Sequence, residues 1–147
     1  MMIKINRTKK GFTLLELLVA LAIAGILAGI AYPTYTDGLV RGRRAEAMSE
    51  LVRIANLQEQ YYADNRTYVK DMLKLGLSAN PYISDNGYYS ISAIADSDIT
   101  VDFILTATAA GDQLTSDSEC TSFSINHLSQ KTAKKASADN TSLCWER

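Results

Sequence analysis

The stretch KKGFTLLELLVALAIAGILAGIAYP, from Lys9 to Pro33, decides how the rest of the chain is read. Between Phe12 and Tyr32 it is apolar apart from Thr13 and Glu16. A helix of about 20 apolar residues crosses the hydrocarbon of a bilayer. Four basic residues precede the run, Lys4, Arg7, Lys9 and Lys10, with no acid among residues 1–11. A cleaved secretory signal would have a shorter apolar core, roughly 7–15 residues, and a small-x-small cleavage site at its end. No such site stands near Tyr32-Pro33. A plain transmembrane anchor fits the length, with the basic leader in the cytoplasm and the C-terminal body outside. An anchor alone gives no reason for Glu16, because a carboxylate in a bilayer costs on the order of 2.5–3.5 kcal/mol on insertion scales.

The chain has 147 residues, which suggests one domain with an appendage. The residues beyond the apolar run are numerous enough for one modest core. The net charge of −1 hides an asymmetry, since residues 12–147 hold eleven basic and sixteen acidic side chains, a net of −5. A mildly acidic body makes nucleic acid an unlikely partner. Catalytic constellations are absent. There is one histidine, His127, read as a satisfied surface residue, and no phosphate loop, Cys-x-x-Cys or nucleophile elbow. No cofactor or metal set is visible, and no enzyme is expected.

Within the apolar run, Gly25-x-x-x-Gly29 with Ala22, Ala24 and Ala28 offers small residues for close helix approach. Pro33 removes a backbone donor and should kink or break the helix. Beyond it, RRAEAMSELVRIANLQEQYYADN predicts a helix to about Asn65 with two apolar stripes. One stripe is Met48, Leu51 or Val52, Ala55 and Tyr62, and the other is Ala47, Ile54, Leu57 and Tyr61. The Arg41, Arg43, Arg44 cluster reads as a solvated helix face, with Arg43–Glu46 and Glu46–Glu50 as neighbours. Residues 66–87 read as a connecting region. Strands follow in YYSISAIA (88–95), in ITVDFILTATA (99–109) with Asp102 on the polar side and Ile104 breaking the alternation, and in TSFSIN. A short fourth strand is expected near Gln130–Ala133. Such a sheet would close one core against the helix.

Gly11-Phe12-Thr13-Leu14-Leu15-Glu16-Leu17 behind a basic leader resembles the class III signal of type IV pilins and secretion pseudopilins. RRAEA, YYADNRTY and the late Cys144-Trp145 resemble PilE-type minor pilins. The resemblance implies cleavage by a prepilin peptidase after Gly11, N-methylation of Phe12, and an assembly role for Glu16. Cleavage would free an amine on Phe12 that could meet Glu16 of an adjacent helix. The resemblance also implies an oxidising compartment for the body, and with it a disulfide between Cys120 and Cys144. One departure stands out. Many pilins have a second helix proline about twenty residues after the first, where this chain has Arg53.

The expectation is therefore an α+β pilin fold, a long N-terminal helix on a three- or four-stranded antiparallel sheet with a C-terminal disulfide loop. Residues 1–11 form the cleaved leader, 12–32 the apolar helix, and 33–147 the globular domain, with its sheet and disulfide region over 88–147. The implied function is that of a minor pilin in fibre assembly, adhesion and twitching motility. The alternatives are a major pilin, a type II secretion pseudopilin, or a DNA-uptake competence pilin. The implied partners are the prepilin peptidase, other pilin subunits and an inner-membrane assembly platform. The implied location is the inner membrane, single pass with a periplasmic C-terminus, then the surface pilus of a Gram-negative bacterium.

Overall fold

The computed structural model describes residues 11–145. The basic residues of the leader lie outside the described residues. The chain divides between Asp37 and Gly38 into two compact units, although one helix, α1 (Leu14–Asn65), runs through the division.

In the first unit every residue from Gly11 to Tyr35 is exposed. Alanine, leucine and isoleucine dominate this half of α1, and the helix is not broken at Pro33. Proline leaves one carbonyl of the helical ladder without its donor. Two threonine hydroxyls donate close by, Thr34 Oγ1 to the Ile30 carbonyl (3.2 Å) and Thr36 Oγ1 to the Pro33 carbonyl (2.8 Å). At Arg53, where many pilins have a second proline, α1 continues and the guanidinium pairs with Glu50 at 2.6 Å.

In the second unit, α1 buries Ala47, Leu51, Ile54 and Gln58, a 4-3-4 spacing that keeps one line against the core. The two expected stripes merge into one wide face. Ala47 and Ile54 come from one and Leu51 from the other, while Met48, Ala55, Leu57, Tyr61 and Tyr62 flank them and Val52 stays exposed. Gln58 is fully buried, and its amide pairs both ways with the backbone of Val69, at 2.5 and 3.0 Å. This clamp satisfies a polar side chain that would otherwise be costly in the core.

The sheet is an antiparallel meander of six strands rather than three or four: β1 (Tyr82–Ile83), β2 (Tyr89–Ile94), β3 (Ile104–Ala109), β4 (Ser122–Asn126), β5 (Lys131–Lys135) and β6 (Ala138–Asp139). Register alternates cleanly. Tyr89, Ile91 and Ala93, then Leu105, Ala107 and Ala109, then Phe123 and Ile125, and finally Ala133 are the buried positions. The connecting region also carries a 3-10 turn, Met72–Leu75, capped by the Asp71 carboxylate and closed by Gly76 at φ +78°. Two short helices escape the sequence reading, α2 (Gly111–Ser116) and α3 (Thr141–Trp145).

The strand expected from Ile99 starts only at Ile104. Asp102, placed by alternation on a polar face, is buried instead. Its carboxylate accepts from the Ser97 hydroxyl and from the backbone N–H groups of Asp96, Ser97 and Asp98, which folds 96–102 into a turn. The Ser97 hydroxyl foremost, with those N–H groups outweighing the effect of burial, brings the Asp102 pKa down to about 2. Ile104, which broke the alternation, is the first residue of β3, half-buried.

Candidate assembly site

The first turn of α1 explains the acid in the apolar run in a way the sequence reading missed. Thr13 Oγ1 accepts the Glu16 N–H at 3.2 Å, and Glu16 Oε2 accepts the Thr13 N–H at 3.0 Å. The Thr13 hydroxyl also donates to Glu16 Oε2 at 2.9 Å. This is a capping box, in which two backbone donors of the helix start are satisfied reciprocally. The signal was legible as Thr13-x-x-Glu16 ahead of an apolar run. Gly11 and Phe12 lie directly before it. A Cβ added to Gly11 would meet nothing within 4 Å, and Phe12 is 89% exposed. Gly11, Phe12, Thr13 and Glu16 are thus gathered at one helix end, and Pro33 lies several turns further on.

From that end a continuous apolar surface extends, with Leu14, Leu21, Leu27, Ile30 and Tyr32 all more than half exposed. The segment is long and apolar enough to cross a membrane. Such a surface is stable only when lipid or other protein covers it.

In the second unit, Cys120 and Cys144 form the implied disulfide, and both are fully buried. Trp145 follows it, donating Nε1–H to the Thr132 carbonyl at 2.7 Å and meeting Phe123 edge-to-face. The arginine cluster is not one solvated face. Arg44 makes a two-pronged contact with Asp117 at 2.6 and 2.7 Å, with both side chains largely buried. This bond, more than any other influence, raises the already high pKa of the guanidinium. Arg43 lies 4.2 Å over the ring of Tyr88, and only Arg41 of the three is exposed. Glu46 takes its hydrogen bond from Asn86 at 2.9 Å rather than from Arg43. His127 is half-buried beside Phe103 rather than fully exposed, and its Nδ1 has no partner among the described residues. The described residues hold no group of three His, Cys, Asp or Glu side chains able to bind a metal.

Comparison with known proteins accounts for a capped, exposed apolar helix joined to a disulfide-closed sheet. The family described as "Prokaryotic N-terminal methylation motif" matches residues 6–32. The family described as "Type IV minor pilin ComP, DNA uptake sequence receptor" matches residues 33–124. The chain belongs to the type IV pilin family. Fimbrial protein EcpC of Eikenella corrodens is 28% identical to this pilin over 97% of the chain and 84% of the relative. A fimbrial protein of Pseudomonas aeruginosa is 31% identical over 68% of the chain and 69% of the relative. Type IV major pilin PilE of Neisseria gonorrhoeae is 35% identical over 53% of the chain, which spans only 47% of that protein's length. A solved type IV pilin from Shewanella oneidensis is 26% identical, with a TM-score of 0.48 over 69% of the chain and 96% of the solved one. As a family member this pilin is a structural subunit and not an enzyme. The methylation motif implies processing by a prepilin peptidase and other pilin subunits as neighbours in a fibre.

Proposed function

We propose that the protein is a minor pilin, cut after Gly11, methylated on Phe12, and added to a fibre that serves adhesion and twitching motility. The observation that carries the minor assignment is the match of residues 33–124 to the family described by a minor pilin. Before assembly the pilin rests in the inner membrane of a Gram-negative cell as a single span. Its folded unit then faces the periplasm, in contact with an assembly platform. The exposed apolar half of α1 supports this, and so does a disulfide, which persists in oxidising compartments. Cleavage turns the Phe12 amide into an amine, and Glu16 then offers it a carboxylate from a neighbouring helix. The pair sets the stagger between helices, as a buried polar residue sets register in a coiled coil.

Sheared surface filaments, digested and weighed, test this reading. A peptide beginning at N-methylated Phe12, far less abundant than the peptides of another pilin, is expected. Unprocessed leader in the filaments would refute the processing, and dominance of this chain would make it the major subunit. Glu16→Val is expected to insert and to be cut, and then to be missing from filaments. Wild-type levels in filaments would refute the pairing with Phe12.

A second reading, DNA capture, draws on the words that describe the matching family and on the lysines of β5, Lys131, Lys134 and Lys135, the first of them against Trp145. Lys131 Nζ lies 5.0 Å from the centre of the Trp145 ring, one cation on an aromatic face. The acidic body and the Lys135–Glu119 ion pair weigh against it. Binding of duplex DNA that weakens steeply with salt and is lost in Lys131→Ala/Lys134→Ala would favour this second reading.

A further inference from the structure

Asp117 stands where three parts of the second unit join. Its side chain is 1% exposed and accepts four hydrogen bonds. Two come from Arg44 on α1, one from Gln113 Nε2 on α2 at 3.0 Å, and one from the backbone N–H of Cys120 at 3.1 Å. The other half of the disulfide is fixed from the same place. The Asn140 amide donates to the Glu119 carbonyl at 2.9 Å, and the Cys144 N–H donates to the Asn140 carbonyl at 3.1 Å. An unbroken run of contacts therefore leads from α1 to Cys120, and from the residue before Cys120 to Cys144.

We infer that Asp117, held by Arg44, is a positioning residue for the disulfide, so that docking of α1 presets Cys120 to meet Cys144. Two thiols 24 positions apart in a flexible segment seldom meet, because closing the loop has an entropic cost. Fixing the backbone of Cys120 before the bond forms removes part of that cost. The coupling is reciprocal: whatever the ion pair adds to the disulfide, the disulfide adds to the ion pair. A buried ion pair adds little net stability over an apolar pair of the same volume. Its contribution here is geometric, since the forked guanidinium fixes both oxygens of Asp117 and leaves one aimed at the Cys120 N–H. The inference concerns the folded unit alone and does not rest on the minor-pilin reading.

The exchange that reads this out is balanced. One cysteine thiolate attacks oxidised glutathione and releases a glutathione thiolate. The second cysteine thiolate then displaces the other glutathione, so that two protein thiols are oxidised as one glutathione disulfide is reduced to two thiols. The full-length chain in detergent is equilibrated in glutathione buffers, and the disulfide fraction is read by alkylation and mass spectrometry. Unfolding of the oxidised form is followed in parallel. The Arg44→Met/Asp117→Leu double variant removes both charges without leaving one buried alone. Its disulfide equilibrium constant is expected to fall about tenfold, the loss of roughly one hydrogen bond to a charged group, and by the same linkage the oxidised form loses about tenfold in its folded-to-unfolded ratio while the reduced form unfolds as wild type does. Gln58→Leu, which breaks the clamp on Val69, is expected to lower stability and leave that constant unchanged. An unchanged constant in the double variant overturns the inference, as does an equal fall in Gln58→Leu. Should the double variant fail to fold, Arg44→Lys keeps the charge and loses the fork. A fall of about threefold is then expected on the same grounds, and no fall overturns the inference.

Discussion

The two halves of α1 share one helix and obey different rules. From Gly11 to Tyr35 the side chains are mostly apolar and exposed all round, so the helix makes no core of its own. After Gly38 it has a buried line, charged flanks and fixed partners, Arg44 with Asp117 and Gln58 with Val69. The sequence of the second half answers to its own chain. The sequence of the first answers to lipid and to other subunits, because apolar surface of that extent is stable only when covered. Glu16 belongs to both accounts. It completes the helix start inside one chain, and its side chain is exposed, as the pairing proposed above requires.

The contrast can be broken by perturbing one half and watching the other. The largest effect is expected from Phe123→Ala, which empties a fully buried position of the sheet. It should lower the stability of the folded unit by about 3–5 kcal/mol in denaturant unfolding, with membrane insertion unchanged. Loss of insertion would mean that the two halves are not independent. Next in size is Cys144→Ser. Loss of the disulfide should lower stability by about 3 kcal/mol, and amide exchange should rise most in β5, β6 and α3. A rise centred on α1 would contradict the local placement of the bond.

Glu16→Gln sharpens the comparison further. Glutamine still serves in a capping box but carries no charge. Helicity at the start of α1 should match wild type for Gln and drop for Val, an effect of about 1 kcal/mol. If charge pairing drives assembly, neither variant enters filaments. Filaments rich in Glu16→Gln would mean that the cap, rather than the charge, explains the acid.

The smallest effect is expected from pH. Asp102 has a folded-state pKa of about 2, below its ordinary carboxylate value. Its contribution to stability is therefore complete above the ordinary carboxylate range, near pH 4, and is lost as pH falls through about 2. Exchange protection at residues 96–102 should fade over that window in wild type. In Asp102→Asn it should already be weak at neutral pH. A pH-independent turn in wild type would contradict the bonding to Ser97 and its neighbours.

Much of this was legible in the residues, and what escaped did so for physical reasons. The period-two alternation in 89–94 and 122–126 marked β2 and β4, because each strand has one buried face. Two-residue strands such as β1 and β6 carry no period to detect. The alternation that ran back to Ile99 misled, because Asp102 prefers local backbone donors to a place in a ladder. Arg44 looked solvated because nothing near it in sequence needs a cation, and its partner Asp117 lies far along the chain. The methylation motif was legible around Gly11, Phe12 and Glu16, and the reciprocal bonds of Thr13 were there to be read in the spacing.

The short ends of the sheet have a consequence of their own. Both edge strands, Tyr82–Ile83 and Ala138–Asp139, are two residues long. An open sheet edge is a template on which a strand of another chain can pair, and natural proteins blunt such edges to prevent it. The two outer strands themselves offer almost no backbone for a stranger to zip onto, although residues 92–94 of β2 run on past β1. Outer strands of this length work against a sheet shared between neighbouring copies, the first step towards an amyloid-like deposit.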